Sequence, residues 1–270
     1  MKYSNRPLPE GINNPKTPFW RSFWVMLIAI LLVLAAATLV LGRTGAMLAM
    51  LLSYDQEQAL VARSGMAQVQ ASAPQRVLQR LADELAESMQ MQAFMPLTIH
   101  YVDDNTVNAF ATLGGHLLFH RGLVSQLGSE NALAMLIAHE LAHVQQRHPI
   151  TSLGQGLAIE SGLSLLFSGA GPDIFRDSGF YTRMKFSRDM ERAADKAALQ
   201  AVYRRYGHVG GALDLYTVLL RNSGAAGTRY TALMQTHPLT QERIDDLRAL
   251  AQAQGWPLEG ALRPLPAGLD

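Results

Sequence analysis

The chain has 270 residues, of which 49% are hydrophobic, a formal net charge of +1 and no cysteine. This length suffices for one sizeable hydrophobic core or two smaller ones, and the near-neutral charge gives no reason to expect a nucleic acid as a partner. Without cysteine there are no disulfides, thiolate metal sites or lipidated cysteines, so any bound metal must be held by histidine, aspartate or glutamate.

The N-terminal region contains a candidate membrane span. Residues 23–42 read FWVMLIAILLVLAAATLVLG, without a charge. At about 1.5 Å rise per residue, twenty residues cross a bilayer core of roughly 30 Å. A cleaved signal peptide is the alternative, but its apolar region usually has about 7–15 residues, and Leu41-Gly42-Arg43 is a poor cleavage site. We therefore expect an uncleaved single-pass anchor in contact with membrane lipid.

Flanking charges predict the orientation of this anchor. Arg43 is the only basic residue between the span and Arg63. By the positive-inside rule, we expect residues 1–22 in the cytoplasm and the chain after Arg43 in the periplasm of a cell whose inner membrane holds the anchor. The basic residues before the span are Lys2, Arg6, Lys16 and Arg21.

The remaining chain predicts an α+β fold that is mostly α, with a small sheet. Residues 43–73 are interpreted as a linker, residues 74–255 as the main folded domain and residues 256–270 as a loose C-terminal tail. Alternating apolar residues predict a strand near residues 97–101, and Gly114-Gly115 between two apolar runs predicts a hairpin. Helices are predicted from Pro74, after Ser129, and near residues 181–206, 211–221 and 240–254.

The segment Ile150–Ala170 is unusually low in charge, because Glu160 is its only charged residue. Three interpretations stay open for it: a buried helix pair, a segment on the membrane surface, or a mobile flap.

The stretch Ala138–His148, AHELAHVQQRH, follows an apolar run, and buried imidazoles are costly without partners. His139 and His143 are four residues apart, so both can point from one helix face at one metal ion. Glu140 can reach a water on that ion without being a ligand, which is the H-E-x-x-H arrangement of zinc peptidases. The sequence thus predicts one Zn²⁺ per chain, with Glu140 as the general base. His148, beside Pro149, is interpreted as a cationic residue at the end of this helix.

A catalytic zinc usually has three protein ligands, so a third must come from elsewhere in the chain. Glu191 is the best candidate. Asp195 lies four residues later on the same helix face, where it can accept a hydrogen bond from the second ring N–H of a ligand histidine. The alternative for this pair is a solvated acidic face, but the surrounding alanines favour a closely packed helix.

Four blocks of the sequence resemble the HtpX-type membrane-associated zinc metallopeptidase family, whose relatives include BepA and the CAAX prenyl endopeptidase. The resemblance covers about residues 75–250. It implies that residues 74–255 form a zincin-like zinc metallopeptidase domain in which His139, His143 and Glu191 are ligands and Glu140 is the base. In chain order, the blocks are NAFATLGGHLLFHRGL from Asn108, HELAHVQQRH from His139, SRDMERAAD from Ser187 and THPLTQERI from Thr236.

The same resemblance implies further site residues. An edge strand from Asn108 to Leu113 would hold the substrate backbone. His237 and Arg243 would lie over the metal and help to stabilise the oxyanion, or His237 would bind the zinc in a resting form. From the residues alone, a helix-start cap and a surface ion pair remain the alternatives for these two. The substrate-binding residues implied in the strand are Asn108, Ala109, Phe110 and Ala111.

The leading functional interpretation is a membrane-anchored zinc endopeptidase that acts on unfolded or extended envelope proteins, in the quality control of misfolded or misassembled ones. One alternative is a metal-binding chaperone or adaptor without proteolysis, against which Glu140 argues, because a closed structural site needs no base. The other is a narrow-specificity processing peptidase. The natural substrate and the oligomeric state stay open.

Overall fold

The computed structural model describes residues 19–63, 72–92, 95–167, 186–223, 236–237 and 240–269. Parts of the predicted N-terminal segment, of the linker and of the helix expected from Tyr181 lie outside these ranges. The helices are α1 (Phe19–Ala49), α2 (Tyr54–Arg63), α3 (Ala73–Ser88), α4 (Arg121–Val124), α5 (Glu130–Gln145), α6 (His148–Phe167), α7 (Arg188–Tyr206), α8 (Asp214–Ser223) and α9 (Gln241–Ala253). The strands are β1 (Thr98–Val102), β2 (Ala109–Ala111) and β3 (His116–His120).

Helix α1 contains the predicted membrane span and extends beyond both of its ends. Among the described helices, α1 alone is long and apolar enough to cross a bilayer. Its side chains are mostly exposed along the apolar stretch, for example Leu32 and Val33. Such exposure is costly in water, so this surface fits a lipid environment.

The three strands form a small sheet with the order β1-β3-β2. Strand β1 runs parallel to β3, and β2 pairs antiparallel with β3, with Ala109 opposite Phe119. Gly114 and Gly115 form the predicted turn at φ of 63° and 76°, a conformation that favours glycine. The expected hairpin and the small sheet are therefore confirmed.

Helix α5 is the centre of the domain. Ser129 caps it by accepting a hydrogen bond from the backbone N–H of Ala132, and the helix is buried continuously from Asn131 to Val144. A helix that is apolar on all sides needs partners on all sides. Here α3, α7, α8 and strand β2 supply them, and the main hydrophobic core surrounds α5.

Arg147, between α5 and α6, forms hydrogen bonds and an ion pair with the segment where α1 ends and α2 begins. Arg147, with φ of 57°, reverses the chain between the two helices. Its guanidinium donates hydrogen bonds to the carbonyl oxygens of Met50 and Leu52, at 3.2 and 2.7 Å, and forms an ion pair with the buried Glu57. The C-terminal end of α1 is thereby connected to the helix that carries the histidines.

Two segments are more ordered than the sequence indicated. Helix α2 lies within the predicted linker, because Tyr54, Glu57 and Val61 bury one of its faces against the turn before β3. The expected loose tail is packed on the domain: Trp256 stacks on Tyr203 at 4.8 Å, and Leu269 is fully buried. The polar composition of the linker did not indicate the packing of α2, and the Pro- and Gly-rich composition of the tail did not indicate its contacts with the domain.

Candidate metal centre

Four buried side chains from three parts of the chain converge at one point. His139 and His143 come from α5, Glu191 comes from the first turn of α7, and His237 precedes α9. Ser187 caps α7 by accepting a hydrogen bond from the N–H of Met190, which fixes the position of Glu191. One ligand atom from each residue lies within 4.8 Å of those of the others.

The separations of these atoms fit a tetrahedral metal ion. Metal–ligand bonds of about 2.0–2.1 Å place tetrahedral donors roughly 3.3 Å apart. Nε2 of His139 is 3.1 Å from Nε2 of His143 and 3.4 Å from Nδ1 of His237. The Glu191 carboxylate oxygens lie 3.5 Å from each of the α5 histidines and 2.9 Å from His237 Nδ1. This donor set fits a divalent metal ion.

The electrostatics also favour a cation here. Burial alone would lower the pKa of His139, but its hydrogen bonds with Asp195 and Glu191 raise it to about 10. Burial would raise the pKa of Glu191, whereas the charge of His237 and the hydrogen bond from His139 hold it well below its usual range. The buried carboxylates therefore require positive charge next to them, which Arg243 supplies in part and a metal ion would complete.

Asp195 and Arg243 contact His139 and Glu191 of the four-residue cluster. Oδ1 of Asp195 lies 3.0 Å from Nδ1 of His139 and accepts a hydrogen bond of 2.5 Å from the hydroxyl of Tyr216. Arg243, in the first turn of α9, donates to both Asp195 oxygens at 2.7 and 2.8 Å. Its Nη1 lies 2.8 Å from Oε2 of Glu191. Arg243 is buried, so the surface ion pair that the sequence left open for it does not form.

The sequence analysis did not predict the contacts that His148 and Phe186 make with His143. Nδ1 of His148 lies 3.0 Å from Nδ1 of His143, and the ring of Phe186 stacks on His143 at 4.1 Å. The interpretation of His148 as a cationic helix end is wrong, because His148 begins α6 and burial lowers its pKa to about 4. Pro149 indicated the end of one helix but belongs to the first turn of the next.

Glu140, the predicted general base, lies beside the four-residue cluster. Its side chain is buried, and its Oε2 has no hydrogen-bond partner among the described residues. Its other oxygen lies 3.8 Å from Nε2 of His237, which likewise lacks a partner in the described part of the chain. Two unpaired polar atoms in a buried site leave room for hydrogen bonds to a bound molecule.

The implied substrate strand lies close to α5. Strand β2 forms one edge of the described sheet and contacts α5. Asn108 is buried directly before the strand, and its side-chain oxygen lacks a hydrogen-bond partner within the described ranges. The side chains of Ala109, Phe110 and Ala111 are buried, so the backbone is the part of β2 that can pair with another strand. Their role in substrate binding stays a prediction.

The fold and the site together define a metallopeptidase of the H-E-x-x-H class. The chain belongs to peptidase family M48, whose sequence profile matches residues 72–251. This membership confirms the resemblance on which the sequence analysis relied. The role of each site residue stays a prediction.

The similar proteins include bacterial and mitochondrial proteases. The β-barrel assembly-enhancing protease of Yersinia pestis is 28% identical over 225 residues, which cover 73% of this chain and 44% of that protein. The protease of the same name from Escherichia coli is 29% identical over 169 residues, 57% of this chain and 34% of that protein. The mitochondrial metalloendopeptidase OMA1 of Schizosaccharomyces pombe is 28% identical over 151 residues, 54% and 44% of the two chains. The chain thus spans less than half the length of these relatives.

Proposed function

We propose that this chain is a membrane-anchored zinc endopeptidase. The observation that carries the proposal is the buried Glu140 carboxylate with an unpaired oxygen, next to a ligand histidine in a cluster of four donors. A structural metal site has no use for such a carboxylate. Membership of a metallopeptidase family supports the same conclusion.

Each residue of the site has a separate role in the proposed peptide hydrolysis. A zinc ion held by His139, His143 and Glu191 would supply Lewis acidity to the reaction. Glu140 takes a proton from the attacking water and delivers it to the leaving amine. Asp195 holds the tautomer and orientation of His139. The backbone of β2 aligns an extended substrate by strand addition, which reads backbone rather than side chains.

The location follows from α1 and the charges that flank it. We propose that α1 anchors the enzyme in an inner membrane with the N-terminus in the cytoplasm and the catalytic domain in the periplasm, because the basic residues cluster before the span. Its exposed apolar surface supports the anchoring.

The substrate class is proposed from the relatives and the site. Two of the similar proteins are named β-barrel assembly-enhancing proteases. Together with an edge strand that selects extended chains, these names support quality control of misfolded or misassembled envelope proteins as the function of this enzyme.

Casein cleavage by the detergent-purified full chain tests the proposal. The wild type should cleave casein at internal bonds, and Glu140→Gln should abolish cleavage while metal content stays unchanged. Glu87→Gln, on an exposed face of α3, is the matched control and should cleave like the wild type. Metal binding without cleavage by any of the three proteins would favour the chaperone or adaptor instead.

The identity of the metal has its own test. Histidine and carboxylate donors suit zinc, but neighbouring divalent ions can use the same ligands. Elemental analysis of the purified chain should give about one zinc per chain, as expected for one site. Chelation should abolish cleavage and lower the melting temperature, and added Zn²⁺ should restore both, whereas added Mg²⁺ should not.

A further inference from the structure

The two histidines of the H-E-x-x-H motif have different neighbours behind their rings. A neutral histidine that binds a metal through one ring nitrogen carries its proton on the other, and it usually donates that proton to a fixed acceptor. For His139, the carboxylate of Asp195 lies 3.0 Å from Nδ1. For His143, the atom at 3.0 Å from Nδ1 is Nδ1 of another histidine, His148, to which the proposed mechanism gives no role.

The ring of His143 has one edge towards the cluster of metal donors and the other towards His148. Its Nε2 lies 3.1 Å from Nε2 of His139 and 3.5 Å from Oε1 of Glu191. Its Nδ1 faces His148, and the two rings meet edge to face, with centroids 4.9 Å apart and planes at 69°. His148 therefore lies within hydrogen-bond distance of the one ring nitrogen that a metal on Nε2 would leave free.

We propose that His148 is a positioning residue, whose Nδ1 accepts a hydrogen bond from Nδ1–H of His143 and so directs Nε2 of that ligand at the metal. The inference rests on the metal centre of the proposed function. As the acceptor, His148 carries its own proton on Nε2. A neutral imidazole orients the ligand without adding negative charge to a centre that already contains the carboxylates of Glu191 and Asp195.

The stacking of Phe186 on His143 is not sufficient to orient this ligand. The two rings are stacked at 4.1 Å with planes 29° apart, which constrains the plane of the imidazole. A half-turn of the ring about its Cβ–Cγ bond keeps that plane but exchanges Nε2 with Cε1, so that a carbon faces the metal donors. A hydrogen bond from Nδ1 to His148 distinguishes the two orientations, because only one of them brings Nδ1 to the acceptor.

The place of His148 is itself fixed by the start of α6. The preceding residue, Arg147, is bound to the segment between α1 and α2. Two residues after His148, Ile150 is buried in a small apolar cluster that includes Ala49 of α1 and Phe186. The first turn of α6 is thus held from the side of α1 and from the side of the metal centre. Such support is what a residue that orients a metal ligand requires.

Two substitutions separate the acceptor from the bulk of the side chain at position 148. His148→Leu keeps an apolar side chain of similar size but has no acceptor. His148→Asn has an acceptor, Oδ1, at the same number of bonds from Cα as Nδ1 of histidine. His100→Leu is the matched control, since it removes one member of a second buried histidine pair, with Nε2 2.8 Å from Nδ1 of His116. Melting temperatures of the metal-free proteins check that each variant folds.

Competition with a chromophoric chelator measures the Zn²⁺ affinity of the detergent-purified full chain. His148→Leu should weaken Zn²⁺ binding by about tenfold or more, the usual effect of losing such a partner. His148→Asn should bind close to the wild-type affinity, and His100→Leu should bind like the wild type. Equal affinities for His148→Leu and the wild type would overturn the inference. Equal losses for the leucine and asparagine variants would also overturn it, because the ring and not its acceptor would then matter.

Nuclear magnetic resonance of the Zn²⁺-bound wild type, with ¹⁵N-labelled histidine rings, tests the same bond without any variant. It should show a proton on Nδ1 of His143 that exchanges slowly with water, and His148→Asn should keep this signal. A rapidly exchanging or absent proton would contradict the inference, and so would a wild type that binds no Zn²⁺. If the affinities differ as expected but casein is not cleaved, the inference stands and the peptidase fails. Normal cleavage with equal affinities gives the reverse.

Discussion

Oδ1 of Asp195 lies 3.0 Å from Nδ1 of His139, on the side of the ring that faces away from the other metal donors. We propose that this contact fixes which nitrogen of His139 carries the proton and increases the basicity of the nitrogen that would face the metal. The carboxylate is itself held by Arg243 and Tyr216. The four side chains thus form one buried network, in which Asp195 contacts His139 and is held by Arg243 and Tyr216.

Asp195→Asn should weaken metal binding by about tenfold or more, because the amide keeps the size of the side chain but removes the charge that supports His139. Competition with a chromophoric chelator measures the affinity. Asp189→Asn, at an exposed carboxylate in the first turn of the same helix, is the matched control and should bind metal like the wild type. Equal affinities for Asp195→Asn and the wild type would argue against this role of Asp195.

Arg243→Leu should lower the free energy of unfolding by about 3–5 kcal/mol, since it leaves Glu191 and Asp195 as buried carboxylates without their shared cation. Thermal and denaturant unfolding in detergent measure the change. Arg248→Leu removes a half-exposed arginine from the same helix, paired with Asp245 at 3.6 Å, and should cost at most about 1 kcal/mol. Similar losses for the two variants would contradict the buried role of Arg243.

The sequence predicted the parts of the site that depend on local spacing. His139, Glu140 and His143 share one helical turn, and Glu191 and Asp195 share another, so their faces follow from the helical period alone. The membrane span and the hairpin are equally local, because an apolar run and a glycine turn indicate them directly.

The sequence did not predict the contacts between segments that are distant along the chain. Tyr216 belongs to an apolar helix pattern, and nothing in that pattern indicates that its hydroxyl reaches Asp195. His148 was misplaced because a proline after a histidine is as typical of a new helix as of a finished one. The C-terminal segment lacks periodicity, so its packing against Tyr203 and the start of α5 becomes visible only in the fold.

His237→Ala should raise the rate of casein cleavage severalfold. Nδ1 of His237 lies among the other three donors, so we expect this residue to act as a fourth ligand in a resting form, and its removal to open the position that a catalytic site requires. Initial rates at saturating Zn²⁺ measure the effect, and addition of Glu140→Gln to this variant should abolish the gain. A fall in the rate would instead support the oxyanion role that the family resemblance implies.

Gly154→Leu should separate α1 from α6, because any side chain at this position overlaps Ala49 and the Gly45 carbonyl. Gly156→Leu makes the same substitution two residues later, where an added Cβ meets nothing within 4 Å. Both changes gain about 0.8–1 kcal/mol of helix propensity, so their difference isolates the packing of α6 on α1. Gly154→Leu should be the less stable of the two by roughly 1–3 kcal/mol or more, the usual cost of overpacking.

Thermal unfolding in detergent and in vesicles measures this difference. We expect the packing of α6 on α1 to hold the catalytic centre at a constant distance from the proposed anchor, so Gly154→Leu should also lose more cleavage of a membrane-tethered substrate than of soluble casein. Gly156→Leu should keep the wild-type ratio of the two rates. If both leucine variants unfold at the same temperature and keep the same ratio, the pairing of α1 with α6 has no role in positioning the site.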